Sequence, residues 1–485
     1  MEKLIFDKSQ PGRVGYTLPK LDVETNTKIS EKFKRKSDAR LPEVSEIEVA
    51  RHFQRLSHLN FNIEKGMYPL GSCTMKYNPK INEVTANLPG FSALHPLTDE
   101  KYSQGALQVM YELGECLKEI SGLPGISLQP SAGSQGELTA IYLFKKYFEE
   151  RNDLKRNTIL IPDAAHGTNP ASAAIAGFKV ETVKSRLDGR TDLDDLRAKS
   201  GDHIAAFMLT NPNTVGIFES NISEVSKIVR DAGGLMYMDG ANLNALMSIV
   251  RPGDMGFDCM HINLHKTFST PHGGGGPGAG PICVSEDLIP YLPIPEIIKK
   301  NEEFKINNES TKSIGKVHSF FGNFGVLVRA YTYIRMNGAE GLKKISQSAV
   351  INANYIFSQL KDSYMIPFDE HCMHECIISG NKQKENGVTT RDIAKRLVDY
   401  GFHAPTVYFP LIVPEAMLIE PTETENLDNL NKFINAMNSI AKEAIETPEL
   451  VQHAPHTAPL KRLDEAHAAR NLNVAYQFEN ELVEV

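Results

Sequence analysis

The stretch LMYMDGAN, residues 235–242, is an apolar run that ends on an acidic residue followed by a glycine. Such a run is typical of a strand that is buried on both faces. Similar short runs occur at 158–162, 179–183, 204–209 and 258–263, and helix-like segments separate them. Strands that alternate with helices predict βαβ units, a largely parallel sheet and helices on both faces of that sheet. The expected fold class is therefore α/β.

The helices around this sheet are predicted from their apolar periodicity. They are expected at 105–120, 136–150, 169–176, 193–199 and 222–232. Thr191 is the expected N-cap of the helix at 193–199. Ligands of parallel sheets bind beyond the carboxyl ends of the strands. Polar residues at those ends are therefore the candidates for function.

The chain is expected to contain four parts. An N-terminal arm at 1–95 is rich in turn formers, and a large domain at 96–340 contains the predicted sheet. A smaller α/β domain is expected at 341–450, with helices near 341–361, 390–400 and 425–445 and strands near 373–379 and 416–420. The tail at 451–485, helical near 460–471, is expected to wrap a neighbouring chain.

Composition limits the classes of function. The chain has 485 residues, 41% of them hydrophobic and 23% charged, with 52 basic and 60 acidic residues and a net charge of −8. This balance fits a soluble globular protein and argues against a general nucleic-acid binder. We expect neither a secretory signal nor a membrane span, because no apolar segment of the required kind occurs. Six scattered cysteines fit a reducing compartment, so a cytoplasmic location is expected.

One cluster invites a metal interpretation, namely His371-Cys372-Met373-His374-Glu375-Cys376. A structural zinc site needs four well-placed ligands, and no second paired motif is evident. The segment at 375–380 also has the pattern of a strand that runs into a turn. No metal is therefore expected.

Three segments at predicted strand ends contain residues suited to cofactor chemistry, and a fourth supports them. The loop QPSAGSQG at 129–136 consists of small residues and opens a helix, whose backbone N–H groups attract a phosphate. Asp239 would keep a pyridine nitrogen protonated, which makes a pyridine ring an electron sink. Lys266 stands 27 residues after Asp239 and precedes the glycine-rich segment 273–278, and its amine can form a Schiff base with a cofactor aldehyde. His166 follows another strand and could stack on the cofactor ring. Each feature alone is weak, but together they favour a cofactor site.

These segments resemble the glycine cleavage system P-protein family, whose members are glycine decarboxylases. The resemblance rests on long motifs across most of the chain, which are PLGSCTMKYN at 69–78, QPSAGSQGE at 129–137, DAAHGTNPAS at 163–172, DGAN at 239–242, LHKTFSTPHGGGGPG at 264–278, GNFGVLVRA at 322–330, HAPT at 403–406 and IEPTETE at 419–425. It implies the fold-type-I architecture of enzymes that use pyridoxal 5′-phosphate (PLP), with a large domain and a smaller C-terminal domain.

The resemblance also implies roles for individual residues. Lys266 would be the Schiff-base lysine, His166 would stack on the ring and Asp239 would face the pyridine nitrogen. The remaining residues expected to bind the cofactor are Ala132, Gly133, Ser134, Thr210, Ala241 and His265. Three polar residues in family-like motifs could reach the active site or pack structurally, namely Tyr68, His95 and His403.

The implied function is decarboxylation of glycine and transfer of the aminomethyl group to the lipoyl arm of the H-protein. Single-chain members of the family contain a catalytically silent half and a PLP-bearing half. This chain resembles the separate PLP-bearing subunit, subunit 2, of the two-subunit bacterial form. It would therefore need subunit 1 as a partner, in a heterotetramer.

Two alternatives remain open. One is another fold-type-I PLP enzyme, such as a cysteine desulfurase or an aminotransferase. Cys372 and Cys376 lie in a strand-like run, which disfavours a mobile catalytic cysteine, but Arg391 and Arg396 on a predicted helix leave an aminotransferase possible. The other alternative is a scaffold subunit without cofactor, against which the joint presence of the candidate lysine, acid and histidine argues.

Overall fold

The structure is a computed structural model that describes residues 2–24, 29–37, 39–273 and 278–478. By their internal contacts the residues form two units, Gly66–Ala454 and a second unit of Met1–Lys65 with Pro455–Val485. Most of the glycine-rich segment that follows Lys266 lies outside the described residues, as do parts of the predicted arm and tail. The domain boundaries drawn at 95, 340 and 450 stay predictions.

The main unit contains a central sheet of seven strands. They are β1 (Gly125–Ser127), β2 (Thr158–Pro162), β3 (Lys179–Val183), β4 (Ile204–Thr210), β5 (Leu235–Asp239), β6 (Cys259–His261) and β7 (Ile282–Val284). Their order is β1-β7-β6-β5-β4-β2-β3. All neighbouring pairs are parallel except those of β7, which runs antiparallel to β1 and to β6. The predicted α/β class with a mostly parallel sheet is confirmed.

The central strands of the sheet are buried on both faces, as their apolar residues predict, whereas the edge strand β3 is largely exposed. Every residue of β4 and β5 is buried. Alternate residues along a strand point to opposite faces. Accordingly Phe207 and Met238 pack in one hydrophobic cluster, whereas Met208 and Tyr237 pack in another. Burial of apolar area on this scale is the main term that holds such a layered fold together.

Helices cover the sheet and complete the two units. They are α1 (Glu46–Leu59), α2 (Lys80–Ala86), α3 (Pro89–Ser92), α4 (Gln104–Ser121), α5 (Gly133–Glu150), α6 (Thr168–Ile175), α7 (Leu193–Lys199), α8 (Ile222–Asp231), α9 (Leu264–Thr267), α10 (Phe324–Leu360), α11 (Asn381–Lys384), α12 (Thr390–Asp399), α13 (Leu427–Glu446), α14 (Pro448–Gln452) and α15 (Glu465–Arg470). Among the described residues, no helix is both long and apolar enough to span a membrane.

The structure differs from three local predictions. The N-cap of α7 is Asp192, whose side chain accepts the N–H groups of residues 194 and 195, while the Thr191 N–H donates to Glu219. The strand predicted at 258–263 is present but spans only Cys259–His261, and α9 begins soon after it at Leu264. Helix α10 begins well before residue 341, and Gly338 with a φ of 61° breaks its regular pattern there.

Two smaller sheets complete the main unit. Strands β8 (Glu296–Lys300) and β9 (Glu303–Asn307) form an antiparallel hairpin. Strands β10 (Cys376–Ser379), β11 (Thr406–Val407) and β12 (Ala416–Ile419) form an antiparallel sheet in the order β10-β12-β11. The segment before α2 runs along β12. There Leu70 bridges Ile419, and the Gly71 N–H donates to the Leu418 carbonyl oxygen over 3.2 Å.

The close approach of residue 71 to β12 requires a glycine at this position. A Cβ atom at this position would lie 2.4 Å from Leu418 Cγ and 2.6 Å from the Leu418 carbonyl oxygen. The absence of a side chain lets the segment lie directly on β12. The segment thereby carries residues 72–74 toward the carboxyl end of the central sheet.

The second unit has little apolar packing among its described residues. Helix α1 begins with a capping box between Ser45 and Glu48. The rings of Phe6 and Tyr476 stack at 4.6 Å, which ties the two ends of the chain together within this unit. Several large apolar side chains in it are exposed, including Leu18, Phe33 and Leu41.

Candidate active site

A cavity of about 300 Å³ lies in the main unit, at the carboxyl ends of the parallel strands. The nine residues that sequence analysis assigned to a cofactor site all line it, namely Ala132, Gly133, Ser134, His166, Thr210, Asp239, Ala241, His265 and Lys266. Parallel neighbours present the same ends at one edge of the sheet, so residues far apart in sequence converge there.

Lys266 lies in α9, in the turn that follows β6. Its Nζ atom donates a hydrogen bond of 2.7 Å to the carbonyl oxygen of Ser72. Ser72 and Thr74 adopt positive φ values of 65° and 42°, so this segment makes a tight turn against the lysine. The Ser72 contact is a site feature that the sequence did not predict.

Asp239 ends β5 and is buried, with 4% of its surface exposed. Its Oδ1 accepts the Ala241 N–H at 3.0 Å, and its Oδ2 accepts Asn169 Nδ2 at 3.2 Å. His261 Nε2 lies 3.4 Å from Oδ1. Burial favours the neutral acid, but His261, the Ala241 N–H, Lys266 and Asn169 together hold the pKa of Asp239 below its ordinary value. The side chain is therefore a carboxylate at neutral pH.

His261 supports Asp239 from the neighbouring strand β6. Its Nδ1 lies 2.5 Å from the Tyr237 hydroxyl, and its Nε2 lies 2.7 Å from Asn263 Oδ1. Burial lowers the pKa of His261, with Asp239 opposing. His261 was not among the predicted site residues, although its position at the end of the strand beside β5 was the available signal.

His166 follows β2 and its ring is open to the cavity. Its Nδ1 lies 2.9 Å from the Thr168 hydroxyl. Desolvation lowers the pKa of His166, while the charge of Asp239 opposes this shift. The lowered pKa favours the neutral imidazole, so the ring lines the cavity without adding charge.

The N-terminus of α5 forms the wall of the cavity on the side of the small-residue loop. Ala132 is the N-cap, and Gly133 begins the helix. A Cβ atom on Gly133 would lie 2.3 Å from Asn263 Nδ2, so the helix end packs directly against the turn before α9. The first N–H groups of a helix have no intrahelical acceptor, and the helix dipole favours an anion there.

These features fit PLP. The cavity offers a helix N-terminus for a phosphate, a buried carboxylate for a ring nitrogen and an amine for an aldehyde carbon. In addition, the buried Thr210 hydroxyl has no hydrogen-bond partner among the described residues. Buried polar groups normally have partners, so this hydroxyl is suited to a bound group.

Behind the Ser72 turn lies a buried acidic cluster. Glu375 Oε2 accepts the Ser72 N–H at 2.7 Å, and Glu420 Oε2 accepts the Thr74 N–H at 3.0 Å. Burial raises the pKa of Glu375 well above its ordinary value and that of Glu420 to about 7. The two carboxyl groups thus hold the turn that contacts Lys266.

The same cluster includes part of the segment that invited a metal interpretation. His374, Glu375 and Glu420 bring possible ligand atoms within 4.8 Å of one another. Both carboxyl groups already accept backbone N–H groups of the turn. The cysteines of the segment are not part of this group.

The three further candidates lie elsewhere. The rings of Tyr68 and His403 stack on each other at 4.1 Å, and His95 lies edge-on to Phe320 at 6.4 Å. None of these three residues is among the described residues that line the cavity.

Comparison with known proteins places the chain among close relatives. Residues 13–298 match the family described as Glycine cleavage system P-protein, and residues 345–462 match Glycine dehydrogenase, C-terminal domain. The chain is 58% identical to the probable glycine dehydrogenase (decarboxylating) subunit 2 of Chloroherpeton thalassium, over 98% of each chain. It is 55% identical to the protein of the same name from Bacillus licheniformis, over 98% of this chain and 99% of that one.

Solved structures show the same fold at low identity. A glycine decarboxylase (P-protein) of the glycine cleavage system in inhibitor-bound form matches with a TM-score of 0.71 and 19% identity, over 84% of this chain and 92% of that one. An apo cysteine desulfurase from Thermococcus onnurineus NA1 matches with a TM-score of 0.62 and 16% identity, over 78% of this chain and 95% of that one. The architecture is thus the fold-type-I architecture predicted from the sequence.

Proposed function

The chain belongs to the glycine cleavage system P-protein family, and from this membership we propose that it is a glycine decarboxylase that holds PLP on Lys266. The observation that carries the proposal is the convergence of all nine candidate residues on one cavity. The matched relatives are named glycine dehydrogenase (decarboxylating) subunit 2, and this chain covers nearly their whole length. Fold alone does not determine activity, so the argument rests on the site and the family together.

The side chains divide the chemistry among them. When bound, PLP supplies a ring that takes up the electron pair released as CO2 leaves glycine. Asp239, held as a carboxylate, keeps the ring nitrogen protonated. The N-terminus of α5 binds the phosphate, and His166 packs against the ring. Lys266 would hold the cofactor covalently through its Nζ atom, and its amine would be placed to carry a proton at the reacting carbon.

The product step involves partners. We assign the lipoyl arm of the H-protein as the acceptor of the aminomethyl group. The name subunit 2 of the relatives implies a second subunit, and the proposed partner is subunit 1 in a heterotetramer. The proposed location is the cytoplasm.

The alternative fold-type-I activities have little support in the site. Hydrogen bonding to Cys372 and burial raise the pKa of Cys376 well above its ordinary value, which disfavours a reactive thiolate. Arg396, a candidate substrate-binding residue of an aminotransferase, is paired with Glu443 and Asp399 on and near α12. Among the described cavity-lining residues there is no arginine.

The test is a trapping and exchange experiment on the chain with and without subunit 1. Borohydride reduction of the yellow protein should attach the cofactor to the peptide that contains Lys266. The full assembly should exchange bicarbonate with the carboxyl group of glycine, and Lys266→Ala should abolish the exchange. A protein that stays colourless in excess PLP, or a K266A variant with undiminished exchange, would overturn the proposal. Amino-group transfer without decarboxylation would favour an aminotransferase.

A further inference from the structure

Glu137 is a buried carboxyl group that lies between two candidate cofactor residues. We propose that Glu137 is a positioning residue that fixes His166 and Asp239 relative to each other, through one intermediate side chain on each side. The inference rests on the proposed function, because it assigns both of these residues to the cofactor.

The first branch runs through Thr168. The Thr168 hydroxyl donates to Glu137 Oε2 at 3.0 Å and lies 2.9 Å from His166 Nδ1. His166 Nδ1 also accepts the Thr168 backbone N–H at 3.3 Å, so Thr168 contacts the imidazole through both its backbone and its hydroxyl. By holding the Thr168 hydroxyl, Glu137 fixes the residue that orients the histidine ring.

The second branch runs through Asn169. Its Nδ2 atom donates to Glu137 Oε2 at 2.8 Å and to Asp239 Oδ2 at 3.2 Å. One amide group therefore ties the two carboxyl groups together. Thr168 and Asn169 are adjacent in the sequence, so the N-terminal turn of α6 carries both branches.

Both branches end on the same oxygen of Glu137. The other oxygen, Oε1, is buried and has no hydrogen bond of good geometry among the described residues, although the Ser172 side chain lies close to the carboxyl group. Glu137 is only 1% exposed, and no lysine or arginine of the described residues forms an ion pair with it. A buried carboxyl group without a cation is costly to the fold, which points to a role beyond stability.

The position of Glu137 on α5 extends this role to the phosphate end of the site. The same helix begins at Gly133, in the loop that is proposed to bind the phosphate. A rigid helix thus connects this loop with the supports of His166 and Asp239.

Burial together with the charge of Asp239 raises the pKa of Glu137 to about 7, so the carboxyl group is largely neutral in weakly acidic solution.

Four substitutions separate the role of the Glu137 carboxyl group from the effect of losing a buried acidic side chain. Glu137→Met keeps a buried side chain of similar length but removes the acceptor. Glu137→Gln keeps one oxygen that can accept from both Thr168 and Asn169, and its amide takes the place of the unpartnered Oε1. Thr168→Val removes the His166 branch alone. Glu415→Met removes another buried carboxyl group, which binds Thr390 and Lys384 away from the cavity.

The measurements are the affinity of each variant for PLP, titrated into the cofactor-free protein, and the visible circular dichroism of the bound cofactor. E137M should bind PLP about tenfold more weakly, because a lost hydrogen bond to a buried polar group costs on this order. Its visible dichroism should change, since that signal reports the orientation of the ring. E137Q should restore both properties, T168V should change mainly the dichroism, and E415M should change neither.

Two outcomes would overturn the inference. One is an E137M variant with the affinity and dichroism of the wild type. The other is an E137Q variant as impaired as E137M while both keep the thermal midpoint of the wild type. If the wild-type chain itself binds no PLP, the proposed function fails instead, so the two failures are distinguishable.

Discussion

Lys266 donates its hydrogen bond to the carbonyl oxygen of Ser72, 194 residues earlier in the chain. The turn that presents this oxygen is held from behind by Glu375 and Glu420, which accept the N–H groups of Ser72 and Thr74. The position of the candidate cofactor lysine thus depends on two carboxyl groups of the smaller sheet region.

Glu375 should tolerate replacement by glutamine but not by alanine. Burial and the neighbouring Glu420 raise its pKa well above the ordinary value, and the amide oxygen of a glutamine can accept the Ser72 N–H as the carboxyl oxygen does. Glu375→Ala leaves the buried Ser72 N–H without an acceptor, which costs about 1–3 kcal/mol. Urea denaturation of both variants checks this difference. Equal destabilisation by both would show that the charge matters and not the hydrogen bond.

Glu420 should make stability depend on pH in a definite direction. Burial raises its pKa from the ordinary value of 4.5 to about 7. Between these values the folded chain binds a proton that the unfolded chain has released, so this group lowers the free energy of unfolding as the pH rises through the window. Its contribution is fully favourable below 4.5 and is lost by about pH 7. The difference in unfolding free energy between wild type and Glu420→Gln should therefore shift against the wild type from pH 5 to pH 8. A constant difference over this range would contradict the assignment.

Gly71→Ala should weaken both the fold and the cofactor site. The added methyl group would lie 2.4 Å from Leu418 Cγ and 2.6 Å from a backbone oxygen, which cannot move aside cheaply. We expect a loss of about 1–3 kcal/mol in unfolding free energy, with weaker PLP binding because the Ser72 turn shifts. Gly90→Ala is the matched control, since nothing lies within 4 Å of a Cβ atom there. Thermal unfolding and PLP titration of both variants provide the measurement, and equal behaviour of the two would refute the close-approach argument.

Lys76 and Glu423 form a buried ion pair beside α9. Lys76 Nζ lies 2.7 Å from Glu423 Oε1 and also donates to the Thr267 carbonyl oxygen at 2.9 Å. Lys76→Met leaves Glu423 as an uncompensated buried charge, and we expect a loss of about 3–5 kcal/mol. The double variant K76M/E423L should recover much of this loss. A double-mutant cycle by chemical denaturation measures the coupling, and additive losses would mean that the pair does not interact.

The fold and the site were predictable from the sequence to different degrees. The strands of the central sheet are short apolar runs, and parallel strands share one edge, so the convergence of Asp239, His166 and Lys266 followed from local patterns. The supports of the site did not follow. Ser72 lies in a segment without periodicity, and Glu375 lies 303 residues further along in what looked like an ordinary strand. Contacts at such separations depend on how two sheets pack, which no local pattern encodes. Glu137 was missed for a related reason, because a polar residue inside a helix has the same pattern whether it is exposed or buried. His261, in contrast, ends the strand beside β5, and that position was a usable signal.

Thr210 and Thr214 form a matched pair that tests cofactor binding separately from stability. Both are buried and both line the cavity. The Thr214 hydroxyl donates to the Ala164 carbonyl oxygen, whereas the Thr210 hydroxyl has no partner among the described residues. Removal of a partnered hydroxyl costs about 1 kcal/mol, while removal of an unpartnered buried one is neutral or stabilising.

In the cofactor-free protein, Thr214→Val should therefore lower the unfolding free energy and Thr210→Val should leave it unchanged or raise it. In PLP titrations Thr210→Val should bind about tenfold more weakly if its hydroxyl is a ligand of the cofactor. Denaturation without PLP and titration with PLP measure the two effects on the same samples. If the T210V variant is more stable than the wild type and binds PLP equally well, Thr210 is not a ligand of the cofactor. Its unpartnered hydroxyl would then only destabilise the fold.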